Sequence, residues 1–201
     1  MLKPGEVHVW LVRLRGETAA LRRECSHQAL RAILETVTGA PVEFAVAEKG
    51  KPYLPGAPEM RFNLAHSHEL AVVGMALGVE VGVDIEWLRP LPEYAAIVER
   101  FFPPSEREGV DERDFFCRWT RIEAKLKARG VGLYGAGAEL GGEWTVAPID
   151  AGKGFVAAVA VERAGMRVVV HDVLRSVVRP GGPFTINEDP KTGTPKKLRG
   201  V

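Results

Sequence analysis

The sequence predicts an α+β protein of two similar halves that meet near residue 90, each a helix packed on a small, mostly antiparallel sheet. Three observations carry this. Short apolar segments at 6–14, 69–77, 80–86 and 154–162 read as strands, the first and third with side chains alternating between two faces. Two longer stretches, 17–39 and 111–130, carry apolar residues at helical spacing and end in glycine. Finally, "LAVVGMAL" (70–77) and "FVAAVAVE" (155–162) look like counterparts, placing helix plus antiparallel strands in both halves.

In chain order, "EVHVWLVRL" (6–14) is the first strand. Leu21, Cys25, Ala29, Ile33 and Val37 then recur at four-residue intervals, a helix closed by Gly39 and Pro41. "VEFAV" (42–46) is a short strand and "KGKPYLPGAP" (49–58) a turn-rich loop. "RFNLAHS" (61–67) leads into the strands "ELAVVGMAL" (69–77) and "EVGVDIE" (80–86). After Pro90 and Pro92 the pattern turns helical through "EYAAIVERFF" (93–102), a "PPSE" start signal (103–106) and the long helix closed by Gly130. "EWTVAPI" (143–149), "GFVAAVAVE" (154–162) and "MRVVVHDVL" (166–174) are the closing strands. The organisation read from this is an N-terminal half (1–90), a C-terminal half (91–179) and a Pro/Gly/charge-rich segment (180–201), a wrapping arm or a loose tail.

Composition bounds the function. The chain has 201 residues, 46% hydrophobic and 26% charged, enough for a sizeable core. A formal net charge of +1 lacks the basic footprint of a nucleic-acid binder, so an anionic ligand must be met locally. The opening "MLKPGEVHVWLVRLRG" has no continuous apolar run, and no stretch approaches the roughly 18 apolar residues of a membrane span; a cytoplasmic location is expected. Cys25 and Cys117 lack paired spacing and read as small buried side chains, with neither a disulfide nor a zinc site.

The candidate chemistry begins in "VGVDIEWLRP" (81–90). Val81, Val83 and Ile85 share one face of that strand; Gly82, Asp84 and Glu86 share the other. Two readings stand. One is a half-solvated strand with an acidic outer face. The other is a metal site: two carboxylates about 7 Å apart along one face can aim at a hard cation if a third oxygen ligand comes from elsewhere. In "FFCRWTRIEAKLKARG" the residues Phe115, Trp119, Ile122 and Leu126 form one apolar stripe, with Glu123 and Lys127 on its edge at i and i+4. An exposed Glu–Lys pair is the plain alternative. Together, Asp84, Glu86 and Glu123 would place three carboxylates around one cation, with Lys127 one turn away from it.

Four motifs in order, "GKPYLP" (50–55), "FNLAHS" (62–67), "VGVDIE" (81–86) and "WTRIEAKLKARGVGL" (119–133), resemble the 4′-phosphopantetheinyl transferases of the surfactin-synthetase-activating type, within the holo-acyl-carrier-protein synthase superfamily. The resemblance runs from about Arg22 to Leu133. It implies a pseudo-two-fold pair of halves with coenzyme A and Mg²⁺ in the cleft between them. It also implies the reaction: transfer of the phosphopantetheine arm from coenzyme A to a serine of an apo acyl or peptidyl carrier protein, releasing adenosine 3′,5′-bisphosphate. Two halves in one chain favour a monomer.

By that resemblance Asp84, Glu86 and Glu123 are the metal carboxylates, Glu123 also accepts the serine proton, and Lys127 offsets charge near the pyrophosphate. The resemblance also assigns His66 to the pyrophosphate, and Lys51 and Arg22 to the 3′-phosphate or its neighbours. Without it, the three read as a structural histidine, a turn lysine and a solvated helix charge. Two departures stand out: Ala65 replaces the usual serine before the histidine, and Ile122 the usual lysine before Glu123. Ile122 lies in the apolar stripe and is expected to pack. "GVGLYG" (130–135) fits G-x-G-x-x-G but follows a helix instead of a strand, so it reads as a helix stop and loop. The competing functions are a noncatalytic coenzyme A or carrier-protein binding module and a metal-dependent phosphohydrolase.

Overall fold

The computed structural model describes residues 2–48, 50–132 and 140–178; the segment read as an arm or tail (180–201) and the second half of "GVGLYG" lie outside them. The element order is β1 (Glu6–Leu14), α1 (Ala19–Thr38), β2 (Ala45–Val46), β3 (Pro52–Tyr53), β4 (Met60–Ser67), β5 (Leu70–Leu77), β6 (Val81–Trp87), α2 (Tyr94–Phe101), a 3-10 turn (Pro104–Glu106), α3 (Glu112–Arg129), β7 (Thr145–Ile149), β8 (Phe155–Val161) and β9 (Arg167–Val178). The chain is α+β, as the alternation predicts.

Local signals set the helix ends. Thr18 Oγ1 accepts the Leu21 N–H at the start of α1, and Gly39 ends it in the left-handed conformation at φ 72°. Asp111 caps α3 by accepting the Asp114 N–H at 2.7 Å, and Gly130 closes it at φ 65°. "PPSE" forms the separate 3-10 turn, so the start signal for α3 is Asp111 instead.

Two sheets form, ordered β4-β5-β1-β9 and β6-β8-β7, beside a β2-β3 pair within the loop region. Every pairing is antiparallel except β1 with β9. Strands distant in sequence pair across the chain: β6 with β8, and β9 with β1. His8 Nδ1 and His171 Nε2 meet at 2.9 Å across the β1–β9 seam, with Trp10 stacked on His171.

Alternation explains the layering. Trp10, Val12, Phe62, Val73 and Met75 on one face of the first sheet pack under Cys25, Ala29, Leu30, Ile33 and Leu34 of α1. Val7, Val9, Leu11 and Val72 on the other face meet Val81, Val83, Ile85 and Val159 of the second sheet. α3 covers that sheet's outer face through Ala124 against Ala158 and Ala160, while α2 and the Phe115–Phe116 end of α3 close a further cluster. Each buried Val or Leu contributes about 1.5–3 kcal/mol, against about 1 kcal/mol for a cap, so packing decides the arrangement. Both cysteines are free and sit against these clusters, Cys25 fully buried.

β6 is therefore held on three sides. β8 pairs with it and α3 covers it; along its free edge, Asn63 Oδ1 accepts the Val83 N–H at 2.9 Å and Ser67 Oγ accepts the Trp87 N–H at 3.0 Å. Gly74 lets β5 lie close, since a Cβ there would stand 2.6 Å from Val83 Cγ1.

Candidate functional site

The site is built where α3 lies on β6. A Cβ at Gly82 would fall 2.0 Å from the Ala124 carbonyl oxygen and 2.4 Å from the Ala128 nitrogen, so the helix backbone rests directly on the strand. Two residues on, on the same face, Asp84 points at α3, and Lys127 Nζ donates to its Oδ1 at 2.6 Å. Asp84 is buried, and its Oδ2 is buried with no hydrogen-bond partner. Burial pushes the Asp84 carboxyl up to about 6, with the negative Glu86 and Glu123 adding to the rise and Lys127 opposing it.

Glu123, one helical turn before Lys127, is half-buried; burial raises it above the usual carboxylate range, Lys127 opposes this and Glu86 reinforces it. Glu86 is less enclosed, and Arg89 Nη1 donates to its Oε2 at 3.0 Å. Glu86 thus acts on both Asp84 and Glu123, and Glu123 on Asp84. Among the described residues, however, no three His, Cys, Asp or Glu side chains converge as a metal-holding group. Lys127 is the cation on Asp84 in this arrangement.

Basic residues lie near His66. Partial burial lowers the His66 imidazole below its usual value, and the positive fields of His27, Arg23, Lys127 and Arg22 lower it further. Arg22, Arg23 and His27 of α1 and Lys127 of α3 are thus the positive groups whose fields reach His66 at the end of β4. Arg22 also donates from Nη1 to the Gly16 carbonyl at 2.8 Å, fixing it to the loop before its helix. Arg23 and His27 were missed in reading the sequence, although their i, i+4 spacing beside Arg22 was the visible signal.

Lys51 is placed differently from the expectation of a phosphate contact. Its Nζ donates to Glu80 Oε2 at 2.6 Å, to the Ala128 carbonyl at 2.8 Å and to the Val81 carbonyl at 3.2 Å, using all three N–H bonds within the protein. It ties the end of α3 to the start of β6. Lys51→Met is expected to lower stability by about 1–3 kcal/mol in urea unfolding, the range for orphaned buried acceptors. A variant as stable as wild type would show that the staple is dispensable.

Ile122 is half-buried against the cluster of Val98, Phe102, Phe115 and Phe116, as its place in the stripe predicts. Ala65 is buried among Val83-side residues, in the same cluster as Ile85. It lies on the β4 face opposite to His66, so its missing hydroxyl is lost from the sheet interface and not from the His66 side.

Residues 80–160 match the family model of the 4′-phosphopantetheinyl transferase superfamily. The chain is 37% identical over 117 residues to the 4′-phosphopantetheinyl transferase HetI of Nostoc sp., covering 52% of this chain and 49% of that protein. It is 34% identical over 101 residues to a 4′-phosphopantetheinyl transferase of Bacillus subtilis, covering 47% and 44%. It is 32% identical over 129 residues to the 4′-phosphopantetheinyl transferase AcpT of Escherichia coli, covering 60% of each. The chain spans about half the length of the curated relatives it matches. Asp84, Glu86, Glu123 and Lys127 fall inside the matched 80–160 stretch; Arg22, Lys51 and His66 precede it.

Proposed function

We propose that this chain, which belongs through residues 80–160 to the 4′-phosphopantetheinyl transferase superfamily, moves the phosphopantetheine arm of coenzyme A to a serine of an apo acyl or peptidyl carrier protein. The observation that carries the reading is Asp84: a buried carboxylate with one oxygen unpartnered, facing Glu123 and Lys127 across the Gly82 contact. Structural carboxylates are normally satisfied on both oxygens.

An orphaned carboxylate oxygen beside two further acids is a donor set that suits a hard divalent cation. Asp84, Glu86 and Glu123 would hold Mg²⁺, which when bound supplies charge neutralisation at the pyrophosphate. The chain's own residues do the rest. Lys127 offsets charge developing on the departing adenosine 3′,5′-bisphosphate. Arg22 and Arg23 supply positive field and hydrogen-bond donors for phosphate oxygens, through their planar forks, and His27 and His66 supply ring N–H donors. Glu123, raised by burial, is suited to accept the serine proton as the serine oxygen bonds to phosphorus and the bisphosphate leaves.

The two halves (1–90 and 91–179) would be related by a pseudo-two-fold axis, a reading supported by the pairing of β6 with β8 and of β9 with β1. The protein is proposed to be a cytoplasmic monomer; no helix among the described residues is long and apolar enough to cross a membrane. Incubating the chain with coenzyme A, MgCl₂ and an apo carrier protein, then weighing the intact carrier, tests the function. The expected result is a carrier heavier by one phosphopantetheine. Coenzyme A binding without turnover would favour the noncatalytic module, and bisphosphate release with unmodified carrier a phosphohydrolase.

A further inference from the structure

Lys127 and a divalent cation make the same demand on Asp84. The ammonium already lies 2.6 Å from Oδ1, while Oδ2 is buried and unpartnered. The strand and helix cannot separate to give both cations room, because Gly82 brings the backbone of Ala124 and Ala128 onto β6 and Lys51 ties Val81 to Ala128. Two positive charges on one enclosed carboxylate repel where little water screens them, a repulsion that Glu86 and Glu123 oppose without removing the competition for Asp84. Lys127 itself is not locked in: its side chain is 33% exposed and sits on a flexible four-carbon stem.

We infer that Lys127 holds the cation's place on Asp84 until an anionic ligand draws it away, so that Lys127 and Mg²⁺ exclude one another there and metal binding is coupled to binding of the pyrophosphate of coenzyme A. The inference rests on the reading of Asp84, Glu86 and Glu123 as metal carboxylates. It gives Lys127 a positioning role in the ligand-free protein, additional to any contact with phosphate. Linkage makes the coupling reciprocal: coenzyme A tightens Mg²⁺, and Mg²⁺ tightens coenzyme A by the same factor.

The test is calorimetric titration of MgCl₂ into the full chain, with and without coenzyme A, for wild type, Lys127→Met and Lys125→Met. Lys125 lies two residues earlier on α3 with its Nζ 5.7 Å from the Trp144 ring, so its removal deletes one positive charge from the same helix and leaves the Asp84 contact intact. Wild type should bind Mg²⁺ weakly alone and more tightly with coenzyme A. Lys127→Met should bind Mg²⁺ alone more tightly, by a factor in the range of about 5 to 150 typical of such couplings, and its enhancement by coenzyme A should shrink accordingly. Lys127→Gln provides the same comparison if the methionine variant does not fold. Unchanged or weaker Mg²⁺ binding in the folded Lys127 variant would overturn the inference, as would an equal gain in Lys125→Met, which would reduce it to a general field effect. No Mg²⁺ binding by any of the proteins, even with coenzyme A, would remove the metal reading itself and the inference with it.

Discussion

Gly82→Ala is expected to destabilise the protein severely and to disable the site from a position that touches no ligand. The added methyl would have to sit 2.0 Å from the Ala124 carbonyl oxygen, 2.4 Å from the Ala128 nitrogen and 3.0 Å from the Lys127 carbonyl carbon. All three are helix backbone, so no rotamer change relieves the clash and α3 as a whole must move off β6. That movement opens the Ala124, Ala158 and Ala160 contact, stretches the Lys51 bonds to Val81 and Ala128, and carries Lys127 away from Asp84. Overpacking by a methyl typically costs about 1–3 kcal/mol, and this case belongs at or above the top of that range. Urea unfolding checks it, with Gly56→Ala as control: Gly56 has nothing within 4 Å of an added Cβ, and its change should stay within about 0.5 kcal/mol. The same outcome for Gly82→Ala would mean that the close approach of α3 is not what positions Lys127.

What could be read in the sequence was what depends on local periodicity. Strand alternation puts Asp84 and Glu86 on one face, and that face is covered by α3, whose stripe buries Phe115 and Leu126 and leaves Glu123 and Lys127 at the edge. Glycine stops at Gly39 and Gly130 end the two long helices where expected. Strand partners were not legible, because the alternation of "VGVDIEW" is equally satisfied against any apolar face; only three-dimensional packing puts β6 beside β8 and β9 parallel to β1. The partners of Lys51 were not legible for the same reason. A lysine in a turn looks solvated until Glu80, Val81 and Ala128, distant in sequence, close around it. The "GVD" glycine carried a readable hint, since a glycine inside a strand often marks close backbone approach, yet the identity of the approaching helix was not in the motif.

Asp84→Asn is expected to abolish transfer while leaving the protein as stable as wild type or more so. The Asp84 carboxyl is buried, has one unpartnered oxygen and is pushed up to about 6 in the folded chain, against an ordinary value of 3.8. Between those values the folded state binds more protons than the unfolded state, so the stability that Asp84 lends when protonated is lost as pH rises from about 4 through about 6. At neutral pH the ionised side chain therefore opposes folding, by an amount on the order of 1–3 kcal/mol. Asparagine keeps the shape without the charge, and Lys127, partly exposed, can turn to water. Thermal unfolding at pH 7 should show an equal or higher midpoint, and the fall in stability between about pH 4 and 6 should flatten relative to wild type. Transfer to a carrier serine should fall by a factor of about 10² or more, as for other groups that organise charge at a reacting centre. Retention of activity within tenfold would remove Asp84 from the reaction. A lower midpoint with the pH dependence unchanged would instead make the Asp84–Lys127 pair a structural salt bridge, because a carboxylate kept for folding should cost stability when it is lost, whereas one held against its solvation for chemistry should release it.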